Sequence, residues 1–188
     1  MDTGTEGLAR AWAFEAHKDQ SYGPHSYRYH LEKVVEKISE FSTDADVISA
    51  GWLHDCPEDT VITVTDIHAK ISFDCGEIVD LVTDPDGYDN RKDRKIALYA
   101  KFNAYAGDAA NTHSVEQIKQ FAGLVKGADR FCNHQESYQT HNKGTMRMYL
   151  KEFPEFIKVY GPYMPDFLYL ELFSQYALMI QYFSEVRG

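Results

Sequence analysis

The chain has 188 residues, 44% of them hydrophobic and 26% charged, with a formal net charge of −10. That length buries a core unaided and that balance excludes a disordered chain, while 29 acidic against 19 basic residues disfavour an extended nucleic-acid surface, which needs clustered Lys and Arg. Three widely spaced cysteines, Cys56, Cys75 and Cys132, offer neither a disulfide framework nor a paired thiolate zinc site and suit a reducing compartment.

Met1–Ala9 lacks the basic and apolar regions of a secretory signal, and no apolar run approaches the roughly 20 residues of a membrane span. A soluble, cytoplasmic protein without a membrane partner is therefore expected. Apolar residues at three-to-four spacing predict a helix over Leu8–Gln20. Ser26 is a candidate N-cap for a second, Tyr27–Phe41, whose apolar face carries Leu31, Val34, Val35 and Ile38. A third runs over Asp44–Asp55. Thr60–Thr65 is β-prone but has no partner strand and reads as a loop. Thr65–Ser72 and Gly76–Val82 read as short helices and Arg91–Ala106 as a longer one. Ser114-Val-Glu-Gln117 is a capping-box pattern opening a helix to about Glu136. Pro85–Asn90 and Gly107–His113 are loops. The aromatic tail, residues 164–188, has helical spacing suited to packing on the rest of the chain or to contact between copies in a homo-oligomer. The expected fold is all-α: a single helical bundle spanning residues 1–188.

The stretch that carries chemistry is Ala50-Gly-Trp-Leu-His-Asp-Cys-Pro-Glu-Asp-Thr60. His54 and Asp55 are adjacent, and Glu58 and Asp59 follow each by four, so continued helical geometry sets two acids beside the pair. Pro57 disturbs that last turn, because it donates no backbone hydrogen bond and constrains Cys56. His30 stands on an earlier amphipathic helix. Asp129 interrupts an apolar run, where an unpaired carboxylate is costly, and Asn133 follows it by one turn. Taken singly, each has a plainer reading: a capping acid, a packed histidine, or a carboxylate paired with Lys126 or Arg130. Together, two imidazoles and two carboxylates form a mixed N/O set that suits manganese, iron, zinc or magnesium.

The order His30 … His54-Asp55 … Asp129, with the longer form His-Asp-x-x-Glu-Asp-Thr over His54–Thr60, resembles the HD superfamily of phosphohydrolases. Within it, the chain is most similar to the hydrolase domains of RelA/SpoT proteins and the small alarmone hydrolases. The likeness spans roughly Ala9 to Phe156. It includes Ala16-His-Lys-Asp-Gln20, Tyr27-Arg-Tyr-His30, Val82-Thr-Asp84 with Asp93-Arg-Lys95, Val125-Lys-Gly-Ala-Asp-Arg-Phe-Cys-Asn133 and Met148-Tyr-Leu-Lys-Glu-Phe-Pro-Glu-Phe156.

The resemblance implies an HD-domain helical fold and a manganese-dependent enzyme that removes the 3′-diphosphate from guanosine tetra- and pentaphosphate. It assigns His30, His54, Asp55 and Asp129 to the Mn2+ ion and Glu58 and Asp59 to orienting water and handling its proton. Asn133, Arg91, Lys143 and Tyr149 become contacts to a small-molecule nucleotide substrate. The chain departs from the family's pattern in Ser21-Tyr-Gly-Pro-His-Ser26, where relatives carry two adjacent basic residues, and at Leu31 and Pro57. Hydrolysis of another nucleotide is the alternative these departures leave open, and a non-catalytic nucleotide sensor is the alternative of another class.

Overall fold

The computed structural model describes residues 4–185, and as the periodicity predicts it is overwhelmingly helical. In chain order come α1 (Thr5–Ala16), the short strands β1 (Ser21–Tyr22) and β2 (His25–Ser26), α2 (Tyr27–Ser39), α3 (Ala45–Leu53) and α4 (Cys56–Asp59). They are followed by α5 (Val64–Lys70), α6 (Phe73–Val82), α7 (Arg91–Ala104), α8 (Val115–Gln139), α9 (Lys143–Tyr160), a 3₁₀ turn (Gly161–Tyr163) and α10 (Asp166–Glu185). No helix among the described residues is long and apolar enough to cross a membrane.

The central element is α8. The Ser114 side chain accepts from the Gln117 N–H while Gln117 receives the Ser114 N–H, so the capping box closes as its sequence pattern predicts. At 25 residues the helix is about 37 Å long, and α2, α6, α9 and α10 all pack along it. Close approach is bought by glycine. A Cβ on Gly123 would stand 2.6 Å from the Tyr163 carbonyl oxygen, and one on Gly127 would stand 2.9 Å from Leu168. The 3₁₀ turn and the start of α10 therefore sit directly on α8. The apolar face of α2 contributes Leu31, Val34, Val35 and Ile38 to the same core.

Two segments carry structure where no helix or strand is predicted. Ser21–Ser26 is an antiparallel hairpin, pairing Ser21 with Ser26 and Tyr22 with His25. Gly23 supplies the positive φ of 57° that its two-residue turn requires. Strands of two residues carry no periodicity to read. Lys143–Tyr160 is a full helix although Pro154 lies inside it; its buried face of Met146, Tyr149, Phe153, Phe156 and Tyr160 outweighs the one backbone hydrogen bond that proline forfeits. Pro57 acts where it disturbs least. Helix α3 ends at Leu53, and the chain restarts as the single turn α4 with Pro57 in its first positions, where no N–H is needed.

Asp74 fastens the loop before α8 to the bundle. Its buried carboxylate accepts from the Asn111 side chain, the Thr112 N–H and hydroxyl, and the N–H and Nδ1 of His113. Despite burial, which raises it, these donors hold its pKa down at about 2. Asp74→Ala strands several buried donors and should cost roughly 2–4 kcal/mol at pH 7. Because the folded-state value lies below the ordinary one, this stabilisation is complete above the carboxylate's usual pH range and fades as pH falls through about 2. Urea titrations of wild type and variant should therefore converge between pH 7 and pH 2; a gap that stays constant would contradict this account.

Candidate metal centre

Three elements converge on one buried point. His30 projects from the first turn of α2, His54 and Asp55 occupy the break between α3 and α4, and Asp129 lies midway along α8. His30 Nε2 is 3.4 Å from Asp55 Oδ2 and 3.4 Å from Asp129 Oδ1. His54 Nε2 is 3.0 Å from the same Asp55 oxygen and 3.8 Å from the same Asp129 oxygen. Both imidazoles are almost fully buried. His30, His54 and Asp55 each offer one donor atom, all within 4.8 Å of one another.

The tautomer of His54 sharpens the picture. Its Nδ1 is 2.8 Å from the Gly51 carbonyl, which only accepts, so Nδ1 carries the proton and donates it. Nε2 is thereby the nitrogen turned toward two carboxylates, buried and hydrogen-bonded to neither. Two carboxylates crowded around one buried point call for positive charge there, as protons on the rings or as a cation between the groups. Burial pushes both imidazoles toward the neutral form, yet Asp55 and Asp129 outweigh it and hold both above the ordinary imidazole range. Burial would likewise raise Asp129, but the two imidazoles and then Lys126 keep it far below the usual carboxylate value. Each group is tuned to the presence of positive charge at the centre, and the two-nitrogen, two-carboxylate set fits a divalent transition ion.

Outer partners hold these four side chains. Tyr27 donates its hydroxyl to Asp55 Oδ2 at 2.6 Å and also lies 3.2 Å from Asp59 Oδ2. Asn133 donates to Asp129 Oδ1 and accepts the Tyr22 hydroxyl at 2.8 Å. The Tyr22 ring is stacked on His30, centroids 4.5 Å apart. Such second contacts fix the orientation of metal ligands. The other imidazole–carboxylate cluster, Asp44, Asp46 and His113, is only partly buried, and both ring nitrogens of His113 already face carboxylates, Nδ1 on Asp74 and Nε2 on Asp44.

A cavity of about 150 Å³ opens onto this centre. Its walls carry four cations, Arg91, Lys95, Lys126 and Arg130, and the carboxylates of Asp55, Glu58 and Asp129. Two more carboxylates lie behind: Asp84 accepts from Lys95 Nζ at 2.7 Å, and Glu152 accepts from Arg91 and Arg130. Lys126 Nζ donates to the Val82 carbonyl at 2.7 Å and stands 3.9 Å from Asp129 Oδ2. Burial, reinforced by Lys126, pulls Lys95 down to about 8. Glu58 Oε1 accepts the Asp84 N–H at 2.7 Å, and partial desolvation pushes its carboxyl above the ordinary range despite Lys126. With both imidazoles neutral, as metal ligation requires, five carboxylates against four ammonium and guanidinium groups leave one net negative charge, and a divalent ion would turn it into one net positive charge suited to phosphate.

The structure thus gathers His30, Asp55, Asp129, Glu58, Asn133, Arg91 and Tyr149 around one cavity, with His54 buried behind its wall against Asp55 and Asp129. Asp59 is adjacent but set behind Asp55, bound to Tyr27, and does not line the cavity. Lys143 is not brought there. It opens α9 from the exposed side, its Nζ 5.9 Å from the Tyr182 ring. Sequence reasoning gave no site role to Tyr22, Tyr27, Lys95, Lys126 and Arg130. The last four stood inside recognisable motifs, whereas nothing local marked Tyr22. Neither models of known protein families nor curated proteins match this chain.

Proposed function

We propose that this chain is a divalent-metal-dependent phosphohydrolase acting on a nucleotide 3′-diphosphate of the guanosine tetraphosphate type, releasing pyrophosphate. The observation that carries the reading is the buried, unpartnered Nε2 of His54 facing Asp55 and Asp129, with His30 completing the set. When bound, a divalent ion supplies Lewis-acid polarisation of a phosphoryl oxygen and acidifies water within its reach. The remaining work falls to the chain. His30, His54, Asp55 and Asp129 would hold the ion, with manganese as the leading candidate from the family resemblance. Lys95, Lys126 and Arg91 neutralise phosphate oxygens at the cavity wall. Glu58, held by the Asp84 N–H and shifted toward its protonated form, takes up and returns a proton. Asn133 holds Asp129 and Tyr22 in register, and Tyr149 shapes the wall beneath Arg130.

The test is product analysis. Metal-stripped protein reloaded with manganese should convert guanosine tetraphosphate to guanosine diphosphate and pyrophosphate, and Asp55→Ala should not. No turnover despite retained manganese would remove that substrate. A second reading, hydrolysis of another nucleotide by the same centre, is favoured by the Ser21–Ser26 hairpin. It sets Tyr22, not a pair of basic residues, against the centre. Orthophosphate from a nucleoside monophosphate would select that reading.

A further inference from the structure

The 150 Å³ cavity is too small for a nucleotide, since small-molecule sites span roughly 300–1,000 Å³. Only the reacting end of a substrate enters, and the remainder lies outside it. Two openings adjoin the cavity. One is a cleft of about 530 Å³ bordered by the hairpin and by Asn133, Glu136 and Thr145. It has no Lys or Arg in its walls, and Tyr22, through its hydroxyl on Asn133, forms the partition between it and the cavity. The other is a groove of about 770 Å³ between α7 and α9 that shares Arg91 and Lys95 with the cavity.

The groove's composition is unusual for a chain of net charge −10. Its floor is Ile96, 56% exposed, with Tyr99 and Met148. Its rim carries Lys92, Arg147 and Lys151, which form no ion pair among the described residues. The rim's Glu155 already faces Lys158 at 3.9 Å, and Glu152 is occupied by Arg91 and Arg130. An exposed apolar floor inside a ring of unpaired cations complements an apolar body that bears negative charge.

Building on the phosphohydrolase reading, we infer that the α7–α9 groove receives the body of the substrate. The substrate class is a phosphate ester with a flat aromatic body and at least one phosphate besides the one cleaved. Tyr22 is the residue that directs this body away from the cleft, whose walls hold Glu136 and no Lys or Arg.

Binding is read without turnover, in metal-free protein at low ionic strength, from the ¹³C-methyl resonances of Ile96 and Met148. Adenosine 3′,5′-bisphosphate is the probe and inorganic phosphate the control. The bisphosphate should shift both methyls saturably and inorganic phosphate should leave them in place. The double variant Arg147→Glu/Lys151→Glu should weaken bisphosphate binding at least about tenfold, a change of roughly 1.4 kcal/mol. Lys70→Glu, on α5 and outside the groove, should change it less than twofold. Shifts at Ser137 and Thr145 with silent Ile96 and Met148 methyls would overturn the proposal, as would no shift anywhere at millimolar probe or an unaltered affinity in the double variant. Methyl shifts in the metal-free protein, with no nucleotide cleaved once manganese is added, would leave the groove standing and remove the hydrolase reading. Cleavage with silent methyls would do the reverse.

Discussion

Asp129→Ala is expected to abolish manganese retention and to lower nucleotide hydrolysis on the order of 10³–10⁴-fold, since a catalytic ion contributes several kcal/mol and each 1.4 kcal/mol is tenfold. Asp129 has this weight because one of its oxygens faces both imidazoles, at 3.4 and 3.8 Å, while the other stands before Lys126. Deleting it removes a donor and leaves Lys126 buried beside a gap, so the variant should also lose stability through an uncompensated buried charge. Metal content and melting separate these effects. Manganese at about 100 times its dissociation constant stabilises a binding-competent protein by about 2.7 kcal/mol. For a chain of this size that raises the melting temperature roughly 5–10 °C. Wild type should show that rise and Asp129→Ala none. A variant that keeps both the metal and the thermal shift would dissociate Asp129 from the centre.

How much of this could be read beforehand depends on range. Helix α2 starts at the expected residue behind Ser26, and α8 opens on the expected capping box, because caps and amphipathic faces are local properties of the chain. Asp129 stands out because a carboxylate inside an apolar run is conspicuous, whereas His30 and the His54-Asp55 pair gain weight from the ordered pattern that resembles the HD signature. What stayed hidden was set by contacts distant in sequence. The Arg91–Glu152–Arg130 network joins α7, α8 and α9 across 61 and 22 residues, so nothing in the sequence around Arg91 shows what holds it. Lys95 stands inside a motif without a role and Lys126 reads only as a partner for Asp129; their bonds to Asp84 and to the Val82 carbonyl are set by residues distant in sequence. Lys143 shows the opposite failure. The resemblance implies a substrate contact, but as the first residue of α9 it lies beside Tyr182.

Glu58→Gln isolates the proton-handling step from metal binding, and it is expected to lower kcat by roughly 10²–10⁴-fold with the metal retained. The substitution keeps the side chain's size and leaves an oxygen to accept the Asp84 N–H, so the wall of the cavity should stand. That hydrogen bond belongs to a short structural chain: Val82 and Asp84, at the end of α6, receive Lys126 and Lys95 respectively, and the same segment positions Glu58. One turn of backbone thus sets two phosphate-facing cations and one carboxylate. Partial desolvation raises that carboxyl above its ordinary range, so a base role gives kcat/KM an acid limb above the usual carboxylate value. The sign follows directly: activity falls as pH drops through the raised value, because the base is then protonated. In Glu58→Gln that limb should disappear while the residual rate becomes flat across it. A variant with wild-type kcat, or one that retains the same acid limb, would move proton handling away from Glu58. Asp59, tied to Tyr27 behind Asp55, would then be the next carboxylate to replace.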